Sequence, residues 1–305
     1  MSSVATDNPP TADLLGTGIR RTRKFANYGT GGGIVLAFLL ALVPLVWLLY
    51  TVIKRGYAVI VKSQWWTHSQ RSITFRDSSG GAYHAMLGTA EQVLMCTVIS
   101  VPIAVMVGIY LVEYGRGPIA KATSFMVDIL SGIPSIVAAL FVYAVFITTL
   151  GGHRQGFYIA LALVMLMVPT VVRATEEMLR LVPNELREAS YALGVPKWRT
   201  VMRVVVPTAF SGIVTGIMLG ISRVAGETAP LLVLVGYSPN INNNLFSGPQ
   251  GSLPGMMYDQ VGQLGNVRYH YATDRMWGTA LTLIFIILVL NVVARLIGRS
   301  SKVRS

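Results

Sequence analysis

Arg223 and Glu227 are charged side chains in a place where charge is expensive. Both lie inside Thr208–Val235, a stretch otherwise made of apolar, small and hydroxyl residues. An ionised group at the centre of a bilayer costs about 3 kcal/mol or more, so such residues face protein or water and generally serve a function. Gly212, Gly216 and Gly220 precede them at steps of four, a small-residue ridge that lets two helices approach closely. At about 100° per residue, Arg223 falls roughly 20° from Gly212 and Glu227 roughly 60°, so glycines and charges share one helix face. A guanidinium on that face is a planar fork whose donors match an oxyanion. The same pair could instead be a structural ion pair that locks two helices together. Residue types and spacing permit both readings.

A second charged group continues an earlier apolar stretch. Arg173 and Glu177, and Glu176 and Arg180, stand four apart, the spacing of helical ion pairs. They read either as a salt-bridged helix extension or as the charged lining at the inner mouth of a pathway. Asp128, just inside another apolar stretch, reads as an acid complementing a helix N-terminus. Residues for covalent chemistry are missing. There is no GxxxxGK[ST] loop, so any ATP-driven step needs a motor on another chain, and there is no HExxH or GxSxG. His68, His84, His153 and His270 are scattered, and Cys96 is the single cysteine, within an apolar stretch. No metal or cofactor site is expected, and the chain is expected not to be an enzyme.

The elements that must position these charges are membrane helices. Of 305 residues, 53% are hydrophobic and 12% charged, about half the charged share of a soluble domain. The net charge of +12 does not mark a nucleic-acid protein, because the basic residues lie between apolar stretches rather than in one patch. Six spans are expected: Gly29–Ile53, Gln92–Val112, Phe125–Leu150, Gln155–Val172, Thr208–Val235 and Met276–Ala294. The first is too long for a signal-peptide core and is read as uncleaved. The expected organisation is a cytoplasmic tail over 1–28, a six-helix domain over 29–298 and a short tail over 299–305. Segments on one side carry sixteen Lys and Arg and those on the other carry eight, which places both termini in the cytoplasm. Trp65 and Trp66 suit a membrane interface. By rise per residue, Arg223 lies roughly 22 Å along its span from Thr208.

Between the fourth and fifth spans runs a polar stretch with firm punctuation, Asn184–Pro207. Asn184 is read as a helix cap, with Glu185 in the first turn. Leu186, Ala189 and Leu193 recur on one face, Gly194 supplies a left-handed terminator and Pro196 forbids continuation. A second helix then carries a Trp198, Val201, Met202, Val205 stripe. Glu188-Ala189-Ser190, Gly194 and the closing Val204, Val206 and Pro207 resemble the EAA loop of ABC-importer permeases. The string Ser222-Arg223-Val224-Ala225-Gly226-Glu227-Thr228-Ala229-Pro230-Leu231-Leu232 resembles the signature of phosphate-importer permeases, PstA type. The resemblance covers roughly residues 85–295.

That resemblance implies an all-α integral membrane protein with the type I ABC-importer permease fold, in the bacterial inner (plasma) membrane. It implies a translocation pathway for inorganic phosphate, shared with a second permease (PstC type). It also implies two cytoplasmic ATPase chains (PstB type) and an extracytoplasmic phosphate-binding protein (PstS type). Glu188, Ala189, Gly194 and Pro207 would form the ATPase-docking site. The pathway would be lined by Arg223, Glu227, Arg173, Glu176 and Arg180, with Gly212, Gly216 and Gly220 packing helices. The sister PstC-type subunit shares much of this pattern, and an importer for another oxyanion such as sulfate fits the same Arg chemistry. A membrane enzyme or receptor would need a catalytic constellation or output domain that the sequence does not display.

Overall fold

The computed structural model describes residues 21–74, 76–262 and 270–300, with side chains over 28–74, 76–262 and 270–296. The expected tails fall outside the described residues except at their inner ends, where Arg21 opens the first helix and Ser300 closes the last. Regular elements among the described residues are all helical. They are α1 (Arg21–Ile60), α2 (Ser63–Thr67), α3 (Tyr83–Ile109), α4 (Gly117–Gly132), α5 (Ser135–Val142), α6 (Gly156–Arg180), α7 (Asn184–Ala192), α8 (Lys197–Thr200), α9 (Val206–Ala225), α10 (Ala229–Leu234), α11 (Leu253–Gly262) and α12 (Tyr271–Ser300). Wide i→i+5 turns extend α3 to Tyr114 and α5 to Thr149, and join α8 to α9 over Val201–Val205.

Among the described residues five unbroken helices are long and apolar enough to cross a membrane, and a bent pair counted as one span makes six. The third expected span is that pair. It is two helices, Gly117–Gly132 and Ser135–Thr149, bent by 105°. Pro134 explains the break, because its ring drives the preceding residue out of the helical region, and Ile133 is extended at ψ 126. The fifth span is also interrupted. Its helix stops at Ala225, a turn spans 226–228, and α10 starts at Ala229 with Pro230 in its first turn.

The chain falls into two compact units, one ending at Thr51 and the other running from Val52. In the first, α1 exposes an apolar surface that includes Ile34, Phe38, Leu45 and Trp47. The second is built round α6, which packs on α3, α4, α5, α9 and α10. Its core joins Leu163, Leu166, Met167, Val171 and Val172 of α6 with Cys96, Ala104, Ala138, Val142, Val224 and Leu231. Trp65 belongs to the interior rather than an interface: it is 1% exposed, and its indole N–H donates to Thr282 Oγ1 at 2.8 Å.

α9 runs antiparallel to α6 at close range. A Cβ on Gly212 would strike the Met178 side chain, one on Gly216 the Ala174 Cβ, and one on Gly220 would come within 3.0 Å of Val171. Met178 is a flexible chain that can swing aside, whereas the Ala174 Cβ is fixed to its backbone. Gly216→Ala should therefore destabilise by about 1–3 kcal/mol, as overpacking does, and Gly212→Ala by less. Thermal unfolding in detergent should show the larger drop for Gly216→Ala.

Candidate functional site

The close approach of α9 to α6 decides where Arg223 points. It stands in the last turn of α9, where the helix dipole favours a cation. Its Nη1 reaches Thr170 Oγ1 of α6 at 3.4 Å, and the side chain is otherwise exposed. Glu227 does not share the helix. It lies in the turn after Ala225, half-buried, so its projection onto the glycine face fails. Among the described residues Arg223 and Glu227 form no ion pair. Nearby, the Asn291 amide donates to Ser222 Oγ at 3.1 Å and ties α12 to α9.

One turn along α6 from Thr170, Arg173 has a crowded set of acceptors. Nη1 donates to Glu176 Oε2 at 2.5 Å, and Nη2 donates to the Ser124 carbonyl at 3.2 Å, to Ser124 Oγ at 3.1 Å and to Asp128 Oδ1. The expected Arg173–Glu177 pair is absent, since Glu177 is exposed and Arg173 turns toward α4. Asp128 is not at a helix N-terminus. It lies five residues before Ile133, towards the C-terminal end of α4, as a partner of Arg173. Glu176 is 4% exposed and also meets Arg180 at 3.8 Å. Thr170, Arg173, Glu176 and Arg180 thus form a polar stripe along α6 from the height of Arg223 to the end of the helix.

Beyond that end the chain folds into α7, Gly194 and α8. Pro183, not Asn184, precedes the first helical residue, and the Asn184 side chain accepts from Arg187 Nη1 at 3.3 Å instead of capping. Arg187 anchors the segment. Its Nη1 donates to the Val182 carbonyl at 2.6 Å, and Nη2 donates to the Leu179 carbonyl at 3.0 Å and to Glu113 Oε1 at 2.9 Å. Arg187 thus ties one carbonyl in the last turn of α6 and one in the turn that follows it. Ser190 and Thr200 share a buried hydrogen bond of 2.8 Å that ties α7 to α8. Lys197 Nζ donates to the Glu113 carbonyl and sits 5.0 Å from the centre of the Tyr114 ring.

This framework leaves one face uncovered. Gly194 has φ +74 with open space around it, so its requirement is backbone conformation alone. Glu188, Ala189 and Gly194 are exposed. An open groove of about 380 Å³ is lined by Leu186, Ala189, Leu193 and Val204, with Arg199 and Arg203 at its margin. The expected stripe on the second helix divides: Val201 and Val205 are buried, whereas Trp198 and Met202 are 58% exposed. Pro207 is exposed in the first turn of α9. The wide turn at Val201–Val205 stands just before it, where proline lacks an N–H and its ring crowds the preceding turn.

Residues 100–302 match the model of the family described as binding-protein-dependent transport system inner membrane component. This chain belongs to that family. It is 54% identical over 261 residues to "Phosphate transport system permease protein PstA 1" of Mycobacterium tuberculosis, covering 86% of this chain and 83% of that protein. A Mycobacterium leprae protein named PstA is 52% identical, covering 84% and 83%, and one from Yersinia pestis is 37% identical, covering 85% of each. In fold, the chain is similar to a bacterial alginate-import ABC transporter chain, with TM-score 0.63 and 12% identity over 93% of this chain and 100% of that one. A chain of the inward-facing MetNI methionine ABC transporter gives TM-score 0.54 and 21% identity over 73% and 95%. The protein is thus a multi-pass membrane permease with the ABC-importer permease fold.

At the opposite end of α6 the permease holds a polar network that sequence reading passed over. The Gln92 amide donates to Gln250 Oε1 at 3.1 Å and to the Gly251 carbonyl at 3.3 Å, and the Gln250 amide donates to Glu91. Gln250, Ser252, Leu253 and Met256 are all buried, so the segment before α11 folds inward. His84 Nε2 and the Tyr237 hydroxyl share a 2.8 Å hydrogen bond. Burial, reinforced by Asp259, pushes the Tyr237 hydroxyl above the ordinary phenol range, so it keeps its proton. Gly88 and Gly156 lie against Gly251 and Gln250 and leave no room for a Cβ.

The Arg187–Glu113 pair gives the sharpest test of this site. Their side chains are 13% and 5% exposed, and removing one partner of a buried pair costs about 3–5 kcal/mol. Arg187→Met should leave the Glu113 carboxylate and the Val182 carbonyl unmatched, and protease cleavage within 181–200 should rise several-fold while the rest of the chain stays protected. Arg187→Met/Glu113→Gln should recover part of that protection.

Proposed function

We propose that this chain is the PstA-type permease subunit of an ATP-driven importer for inorganic phosphate. It would build the translocation pathway with a second permease, PstC type. Two ATPase chains of PstB type would bind the exposed face of α7, through Glu188, Ala189 and the turn at Gly194, with Pro207 setting the start of the following helix. A phosphate-binding protein of PstS type would deliver substrate on the other side. The relatives' printed names support phosphate, and the excess of basic residues supports a cytoplasmic docking loop and cytoplasmic termini.

One observation carries the pathway reading. Arg223 meets a neutral hydroxyl, whereas Arg173 is flanked by two carboxylates. Arg223 keeps its full charge available, on a face lined with small residues, near the end of α9 away from the docking loop. A partly dehydrated phosphate needs compensating charge, and a guanidinium supplies it with two parallel N–H donors. Arg173, Glu176 and Arg180 then continue the polar route, with Glu227 close to its outer start.

Losing a charged hydrogen-bond donor costs about 1.5–3 kcal/mol. Labelled phosphate uptake by the assembled transporter should therefore fall about 10- to 100-fold in Arg223→Gln, with the subunits still co-purifying. Arg223→Lys should retain part of the uptake. Because Arg223 and Glu227 are not paired, Arg223→Gln/Glu227→Gln should not recover it. Full uptake in that double variant, or equal inhibition by sulfate and phosphate, would count against the assignment.

A further inference from the structure

Arg173 is closed to anions by groups that belong to a different helix. Three of its four acceptors come from α4: the Ser124 carbonyl, Ser124 Oγ and Asp128 Oδ1. The fourth is Glu176 on its own helix. With Asp128 and Glu176 shared between Arg173 and Arg180, the charges balance and Arg173 offers phosphate no net positive charge. Glu176 is 5% exposed at its side chain and cannot leave, whereas Asp128 is 64% exposed and can. An ion pair with one exposed partner is weak and breaks readily.

α4 is also the helix built to move. It ends at the break between Ile133 and Pro134 and begins at Gly117, whose φ is +77 with open space around it. The residues just before it are held by the docking loop from two directions. Arg187 of α7 binds the Glu113 carboxylate, and Lys197 of α8 binds the Glu113 carbonyl. A shift of α7 and α8 is therefore passed to the base of α4.

We infer that Asp128 is a displaceable counter-ion that masks Arg173 from anions on the docking-loop side, with Ser124 as its positioning partner. The inference rests on the phosphate-pathway reading above. While α4 lies against α6, Arg173 is neutralised and the lower part of the pathway does not retain anion. When the docking loop draws α4 away, Asp128 leaves, and Arg173 accepts the phosphate that Arg223 releases. Return of α4 restores the carboxylate and expels the anion, which gives the step its direction.

The test uses the complete transporter in proteoliposomes. Labelled phosphate is supplied with its binding protein on one side, and ATP with graded unlabelled phosphate on the docking-loop side. In Asp128→Asn, Arg173 stays open to the anion, so unlabelled phosphate should inhibit uptake at a concentration at least 10-fold below that needed for the unaltered protein. Asp128→Glu should restore the original sensitivity, and Ser124→Ala should shift it in the same direction by less. Unchanged sensitivity in an assembled Asp128→Asn transporter would overturn the inference. So would loss of assembly in Asp128→Asn with normal sensitivity in Ser124→Ala, because Asp128 would then be a brace. Absence of phosphate uptake by the unaltered transporter would instead sink the phosphate reading itself.

Discussion

The contact of Gly216 with Ala174 sets the distance between α9 and α6, and most of the functional geometry depends on that distance. With a larger residue at either position, the Arg223 guanidinium would no longer reach Thr170. Without hydrophobic driving force between helices in lipid, such small-residue contacts and a few polar bridges hold the pair together. The same antiparallel packing lines up Thr170, Arg173, Glu176 and Arg180 below Arg223. A helix that must carry charge through an apolar bundle is thereby given a polar stripe and a protein neighbour rather than a lipid one.

Arg223 and Arg173 differ in their partners, and that difference organises the rest. Arg223 keeps its charge because its neighbour is a hydroxyl, and Arg173 is neutralised because two helices each contribute a carboxylate. Further along, Arg187 is nearly buried and bonded to Glu113 and to the Leu179 and Val182 carbonyls at the end of α6 and just beyond it. It joins the α7–α8 segment to the ends of α3 and α6. Arg223, Arg173 and Arg187 thus meet one hydroxyl, two carboxylates, and one carboxylate with two backbone carbonyls, respectively, and those oxygen atoms set what each guanidinium is free to do.

Much of this was legible in sequence where the signal was local. The glycine steps at 212, 216 and 220, the apolar lengths and the punctuation at Gly194 and Pro196 each depend on near neighbours in the chain. Legibility ended where partners were distant or a helix stopped early. Arg173 and Glu177 have good helical spacing, yet Arg173 pairs with Asp128, 45 positions away. Glu227 was projected onto a helix that ends at Ala225, although Gly226 and Pro230 were available as stop signals. Pro134 likewise broke an apolar stretch that length alone read as one span. Trp65 looks interfacial by type, and only its bond to Thr282 reveals an interior role. The buried segment around Gln250 could not be read, because its partners Glu91 and Gln92 lie about 160 positions earlier.

The account stands on Arg223 and Thr170 lying on a water-filled route that phosphate enters. Cys96 is fully buried, so a thiol placed at position 170 would be the accessible one. In the assembled transporter, a Thr170→Cys variant treated with charged thiol reagents tests the claim directly. Proximity of Arg223 should make a negatively charged reagent react several-fold faster than a positively charged one of similar size, and added phosphate should slow it. Reaction only with membrane-permeant reagents, or a rate that phosphate leaves unchanged, would contradict the account.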